Sequence, residues 1–378
     1  MRKVAVFFGG KSCENEISVL TGIFVMNVLR CERYQLFPIY LHTNGLAYTS
    51  PKMTNVEIFR EQKYTQFQRM VIDGGTVYAL NEGKRRLKPL FTPDVAINCC
   101  HGGWGEGGGV SALCQWNNLP LASPDLAPSA VFMDKCMTKT VLRGLDIPTV
   151  DYIRVNEEDY QKRGTFLLKR IASRLKYPVI VKPAHLGSSI GISLARNEEE
   201  VKQAIDTAFS LDHRILIEKY LQSKKDINCA AYSLNGEIFV SEPETAFGAG
   251  VYSFEEKYIK RTADGVVGKG ENFTNNRGRY LLSGDLREKI RAYTKTIYKR
   301  MNLTGVVRMD YLVSEGKIYL CEVNTVPGSL AYYLFCERMT DVRTFFGDLM
   351  EDALKKHRDG EKKIVTTGIL NGVVGRNK

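Results

Sequence analysis

No stretch of this 378-residue chain is apolar for anything near the ~18 residues of a membrane span. The opening MRKVAVFFGG holds only a short apolar run before two glycines. The apolar core of a secretory signal needs about 7–15 residues, so a cytoplasmic protein is expected. Cysteine is present but without pattern: nine residues, an odd number, with only Cys99 and Cys100 adjacent. There is no C-x-x-C and no Cys/His zinc spacing, and the five histidines show no ligand spacing either. Free thiols in a reducing compartment fit that usage. Internal repeats and low-complexity tracts are absent too, which excludes solenoid, collagen-like and coiled-coil chains.

What is present is an ordinary globular composition with a basic balance, 53 Lys and Arg against 42 Asp and Glu, or +11. From Lys355 to Lys378 seven basic and two acidic residues supply +5 of that sum. The rest is spread over the body, and no nucleic-acid-reading motif accompanies it. A solvated surface plus a phosphate-binding cleft is the preferred reading, with neither a nucleic acid nor a membrane as partner.

Val4–Phe8 is a short apolar strand that stops at Gly9-Gly10. A helix follows, with apolar positions at Ile17, Leu20, Phe24, Val28 and Leu29. Gln35–Leu41 and Val95–Cys99 continue an α/β pattern, and HGGWGEGGG (101–109) reads as a glycine-rich loop at a strand's C-terminal end, where ligands of open sheets gather. Residues 124–218 form a smaller mixed unit. In it Pro178–Val181 is a strand, GSSIG (187–191) a flexible turn, and Asn197 with Glu200 a capping box before Val201, Ala204, Ile205 and Ala208. Strands dominate again from Ile227, and helices are expected over Leu286–Ile297 and Val342–Leu354. Residues 248–270, rich in charge and carrying Tyr252 and Tyr258, read as a long mobile loop.

The sharpest chemical signal is Arg308-Met-Asp310, then Glu322-Val-Asn324, then Pro327-Gly328. A hairpin turning at Gly316 pairs residues whose numbers sum to 632, so Asp310 faces Glu322 with Asn324 two residues on. Two carboxylates and a carboxamide are hard oxygen donors suited to Mg²⁺ that also holds phosphates. Arg308 shares their face and can clamp an anionic oxygen. Lys182, ending an apolar strand five residues before GSSIG, points to a phosphate, although no Walker A motif is present. Together these features favour ATP with Mg²⁺ over a dinucleotide. Taken alone, Glu14 and Glu16 read equally as first-turn residues of a helix, and His101 as a structural histidine.

The set GGKSCENEIS, HGGWGEGG, MDKCMTK, PVIVKPAHLGSSIG, LIEKYL, EEKY, RMD and EVNTVPG resembles, in order, the motifs of the D-alanine–D-alanine ligases of the ATP-grasp superfamily. The resemblance runs from residue 3 to about 355. It implies an α/β, three-domain ATP-grasp architecture: an N-terminal open α/β domain (1–123), a small central α+β domain (124–218) and a C-terminal mixed-sheet α+β domain (219–357), with a basic tail (358–378). It also implies that ATP phosphorylates the carboxylate of one D-alanine and that the amine of a second attacks, for peptidoglycan synthesis. Two Mg²⁺ ions, with Mn²⁺ as a substitute, amino-acid substrates and a homodimer belong to the same expectation.

Carried over by motif, Glu14 would hold the first substrate's ammonium. Lys135 and Lys182 would hold phosphates, and Glu218, Lys219 and Leu221 would line the adenine slot. Asp226 would take the ribose position, where glutamate is usual. Ser188 and Tyr258 would tie the mobile loop shut, with Lys257 on the transferred phosphate. Arg308 and the Gly328 N–H would form the oxyanion site, and Asp310, Glu322 and Asn324 the metal site. His101, Ser329, Tyr333 and Leu334 are the acceptor-side candidates. The departures from the family pattern gather there. Gly107 stands where aspartate is normal, Tyr333 at the position of a serine that helps bind the second carboxylate, and Cys336 at that of a proline. A second reading therefore keeps the acyl-phosphate chemistry with a different acceptor, and a third is a non-catalytic nucleotide- or nucleic-acid-binding protein.

Overall fold

The computed structural model describes residues 1–81, 86–245, 282, 284–362, 365, 367 and 368. The first apolar run becomes strand β1 (Arg2–Gly9), with Val4, Val6 and Phe8 in one core and Ala5 and Phe7 in another across the sheet. Burial on both faces explains the unbroken run. Helix α1 (Asn15–Leu29) leads to β2 (Tyr34–Leu41), which pairs parallel to β1. An antiparallel extension follows: β3 (Ala47–Thr49), a short helix α2 (Glu57–Arg60), β4 (Gln68–Asp73), β5 (Thr76–Asn81) and β6 (Arg86–Phe91). Strand β7 (Val95–Asn98) closes the other edge, giving the order β6-β5-β4-β3-β2-β1-β7.

The apolar positions named in α1 only partly coincide with its buried residues. Ser18, Val19, Gly22, Val25, Met26 and Leu29 are buried, whereas Ile17, Leu20, Phe24 and Val28 are only partly so. The periodicity misled because the helix has two apolar neighbours. One side lies on the sheet, and Phe24 stacks on Tyr332 and meets Phe346 edge-on from the far end of the chain. The glycine loop is also shorter than expected. Gly105–Gly109 winds as a π turn, broken at Gly108 (φ +106°), into helix α3 (Val110–Trp116).

Helices α4 (Leu126–Met133) and α5 (Lys135–Gly144) lie within the span read as central, yet Phe132 and Leu142, with Ile147 beyond them, pack into the third core. The central sheet itself is β8 (Tyr152–Asn156), β9 (Val179–Pro183), β10 (Ser193–Ala195) and β11 (Arg214–Lys219), in the order β10-β9-β11-β8. Helices α6 (Glu157–Arg174) and α7 (Glu198–Phe209) cover one face. Asn197 caps α7 as expected, its Oδ1 accepting from the Glu200 N–H, while Glu200 reaches back one residue further and accepts from the Arg196 N–H. The expected Val201, Ala204, Ile205 and Ala208 are its buried residues.

The third sheet joins β12 (Lys225–Leu234), β13 (Glu237–Val240), β14 (Glu244–Thr245), β15 (Val307–Ser314) and β16 (Lys317–Asn324). Helix α8 (Gly284–Arg300) covers one of its faces. The last helix, α9 (Met339–Gly360), returns to the first domain, burying Phe346 and Met350 in the core that also holds Val4 and Met26. Helix α9 ties the first domain to the third sheet, and the segment after β16 meets the loop after β7, where Val326 bonds His101 and Glu106. The reading of 248–270 as a loop, with Lys257 and Tyr258, and that of the tail from 369 fall outside the described residues.

Candidate active site

In β9, Val179 and Val181 enter the core under α6 and α7, so Lys182 points to the opposite face. In β11, Ile215 and Ile217 do likewise and Glu218 is turned to the same side as Lys182. Lys182 pairs with Leu216 and Glu218 with Ile180, so the two charges are diagonal neighbours. Lys182 Nζ forms an ion pair with Glu218 Oε2. Lys139 Nζ stands 2.5 Å from Glu218 Oε1. Burial works against the charge on Glu218, but Lys139 and Lys182 outweigh it and bring its pKa to about 2. Lys219 faces outward and Leu221 is half-buried. Asp226, at the start of β12, is 3.2 Å from Lys224 Nζ.

Lys135 opens α5 behind Asp134, whose carboxylate accepts from the N–H groups of Cys136 and Met137. Its own Nζ donates to the Leu186 carbonyl at 2.5 Å, fastening it beside the 187–191 turn. The base of that turn is held by His185. This side chain is sandwiched between Asp134 (3.4 Å) and Asp212 (3.0 Å), which raise its pKa to about 9. His213 stacks on His185. The Asp212 carboxylate already accepts from the N–H groups of His185 and Arg214, so the cluster is a hydrogen-bonded brace.

Ser188 carries the turn to the first domain, where its hydroxyl donates to Glu14 Oε1. Glu14 is the N-cap position of α1 but does not cap it with its side chain. Its carboxylate is instead wrapped by glycines: a Cβ at Gly102 (φ +65°) or Gly187 would stand 2.5 or 2.6 Å from Glu14 Oε2. Gly102 also holds a left-handed φ that favours glycine, whereas a side chain at Gly187 would require the Glu14 carboxylate to shift.

Asp310 faces Glu322 as expected, though by a different route. The turn is two residues, Glu315 and Gly316, both at positive φ, and its pairs sum to 631. Cys321 is then the extra residue of a bulge that moves the sum to 632 from Glu322 onward. Arg308 forks onto Asp310 through Nε (2.7 Å) and Nη2 (2.8 Å). Asn324 Nδ2 donates to Asp310 Oδ2 at 3.0 Å, which orients its amide oxygen for another partner. Three oxygen-bearing side chains thus meet on one strand pair, a donor set that fits Mg²⁺. The buried ammonium groups of Lys135 and Lys182 fit a polyphosphate.

Gly328 begins an unusual turn. Ser329, Leu330 and Ala331 are all left-handed, at φ +51°, +53° and +47°, each costing about 1–2 kcal/mol. The turn delivers Tyr333, whose hydroxyl accepts from Arg308 Nη1 at 3.1 Å. The Ser329 N–H reaches Thr21 Oγ1 at 3.4 Å, and that hydroxyl meets His101 Nε2 at 2.8 Å. His101 Nδ1–H donates to the Val326 carbonyl. Burial lowers its pKa to about 4, so the ring is neutral and acts as a brace for the turn. Leu334 is buried in the first core, so its side chain packs and does not line the site.

Two residues of this site were missed from the sequence. Lys139 sits four positions after Lys135, on the same helical face, and that spacing was the available signal. Glu106, noted only as part of an altered motif, accepts from the Gly102 and Val326 N–H groups. Burial raises its pKa to about 7, with Glu14 adding to the effect.

Comparison with known proteins agrees with this geometry. Residues 3–124 match the family model described as D-ala D-ala ligase N-terminus, and residues 141–355 the one described as D-ala D-ala ligase C-terminus. A D-alanine–D-alanine ligase of Thermosipho melanesiensis is 30% identical over 383 residues, covering all of both chains. One of Caldicellulosiruptor bescii is 33% identical over 344 residues, 89% of this chain and 90% of its own. The crystal structure of the D-alanine–D-alanine ligase from Helicobacter pylori superimposes with a TM-score of 0.75 at 26% identity, covering 93% of this chain and 98% of that one.

Proposed function

The chain belongs to the D-alanine–D-alanine ligase family, and from that membership we propose how its own residues perform the ATP-dependent joining of two D-alanines for peptidoglycan synthesis. The observation that carries the assignment is the convergence of Arg308, Asp310, Glu322 and Asn324 on one strand pair, together with the Ser188–Glu14 bond that joins the central unit to the first domain.

Lys135 and Lys182 hold the phosphates, and Glu218 to Leu221 with Asp226 bound the nucleoside. Asp310, Glu322 and Asn324 hold Mg²⁺, which when bound neutralises phosphate charge and orients the transferred group. Transfer of a phosphoryl group to a carboxylate gathers negative charge at its oxygens. Arg308, already aligned by the Asp310 fork, and the Gly328 N–H stabilise that charge without reorganising. Glu14 receives the first ammonium, and Ser188 joins the central domain to it, narrowing the cleft against water, which would hydrolyse an acyl phosphate. On the acceptor side, the neutral His101 and Thr21 set the turn at Ser329, and Tyr333 presents its hydroxyl where the family has serine.

The same proposal takes two Mg²⁺ ions, replaceable by Mn²⁺, a cytoplasmic homodimer, Lys257 on the transferred phosphate with Tyr258 and Ser188 closing the loop, and domains near 1–123, 124–218 and 219–357 with a basic tail. It rests there on family membership and the motifs EEKY and GSSIG. No described helix is long and apolar enough to cross a membrane.

Phosphate release from Mg-ATP with D-alanine, with mass detection of the product, tests the proposal. Release with a D-alanyl-D-alanine mass is expected. Phosphate without dipeptide would break the acceptor assignment, and no release would break the whole reading.

A further inference from the structure

The mechanism above uses Lys135 and Lys182 for the phosphates and gives the third buried lysine no task. Lys139 lies one turn beyond Lys135 on α5 and is 1% exposed. Its Nζ is 2.5 Å from Glu218 Oε1 and 3.4 Å from the Val150 carbonyl oxygen, and it lies over the Tyr152 ring, 5.1 Å from the centroid. The other Glu218 oxygen pairs with Lys182. One buried carboxylate is therefore shared between two buried ammonium groups, which leaves the trio one positive unit in excess.

That excess decides what Lys182 can do. Paired one-to-one with Glu218, Lys182 would belong to a neutral pair, and an incoming polyphosphate would have to compete with the carboxylate for it. With Lys139 ion-paired to the second oxygen, Glu218 is not held by Lys182 alone, and the trio keeps a surplus positive charge. A buried uncompensated charge is costly, so its presence points to an anionic partner. The surrounding groups do not cancel it. Cys321 Sγ lies 3.9 Å from Lys182 Nζ, too far to replace an oxygen partner. Glu322, whose field also reaches Lys182, belongs to the candidate cation site.

We propose that Lys139 is a positioning residue for the nucleotide: by sharing Glu218 it releases the Lys182 ammonium to the polyphosphate and holds the strand end that opens the adenine slot. This rests on the ATP reading of the site.

The test is calorimetric binding of Mg-tripolyphosphate, which lacks the base that Glu218 would line, to the full-length chain, with melting curves to show that each variant is folded. Lys139→Met should weaken binding about tenfold or more, because Glu218 then competes for Lys182. Lys139→Met combined with Glu218→Gln should recover most of that loss, since the competing carboxylate is gone. A lysine with a purely structural role predicts no such recovery. Should Lys139→Met fail to fold, Lys139→Gln takes its place in both variants, with the same loss and the same recovery expected. Unchanged binding in the folded single variant, or a folded double variant no better than the single one, would each overturn the proposal. A wild type that binds neither Mg-ADP nor Mg-tripolyphosphate would overturn the ATP reading itself, and one that binds Mg-ADP alone would overturn this inference while leaving that reading in place.

Discussion

Asp310 stands opposite Glu322 because Cys321 is an extra residue in β16: a ladder running unbroken from the Glu315-Gly316 turn would set Asp310 against Cys321. The bulge thus assembles the carboxylate pair and also turns the Cys321 sulfur toward Lys182, 3.9 Å away. Bulges recur next to active sites because they re-aim side chains in this way.

Asp310→Asn and Glu322→Gln should each lower phosphate release by about 10²-fold or more while the melting temperature changes little, since both sides of the pair contribute charge to the metal. Turnover near the wild-type rate in either variant would remove the metal assignment.

The wrapping of Glu14 by Gly102 and Gly187 makes Gly187→Ala a sensitive probe. Its Cβ would meet Glu14 Oε2 at 2.6 Å, so the Glu14 carboxylate must swing aside and its bond with Ser188 be disturbed. The KM for the first D-alanine should rise about tenfold, in line with a lost charge-assisted hydrogen bond. Kinetics with the two D-alanine KM values resolved would show it, and an unchanged first KM would mean that Glu14 and Ser188 do not close the site.

Tyr333, proposed above for the acceptor side, touches Arg308. Tyr333→Phe should raise the KM of the second D-alanine by about 5–30-fold and leave that of the first nearly unchanged, the cost of one hydrogen bond to a charged group. An effect confined to the first substrate would place Tyr333 on the donor side.

His185 should make stability depend on pH on the alkaline side. Asp134 and then Asp212 raise its pKa from 6.5 to about 9, so the folded state favours the imidazolium. Its stabilisation is whole below pH 6.5 and is lost as pH climbs through 9. Allowing for its partial exposure, it amounts to about 1–2 kcal/mol. His185→Gln should therefore lower the melting temperature most near pH 6 and hardly at all above pH 9.5. A difference that is constant across that range would mean that the brace does not depend on the charge.

Much of the site was legible locally. Arg308 and Asp310 share a face because strands alternate, Asn197 and Glu200 cap α7 because of their spacing, and Lys182 ends an apolar run. The misreadings also have physical causes. The buried face of α1 could not be read from one period because the helix is packed on two sides, by the sheet and by Tyr332 and Phe346. Helices α4 and α5 follow the first domain in the chain but share the third core through Phe132 and Leu142. The pairing of Asp310 with Glu322 came out right from a turn placed one residue off, because the bulge supplies that residue.

The order of the motifs and the faces on which Arg308, Asp310, Val201 and Ala204 lie were legible in the sequence, since these depend on backbone periods of two and 3.6 residues. Only the tertiary structure decided which elements meet. It brought Ser188 to Glu14, His101 to Val326 and Lys139 to Glu218, and it set three left-handed residues after Gly328 to carry Tyr333 to Arg308. Those meetings depend on how the three cores pack and on where α9 returns, and no local period encodes either.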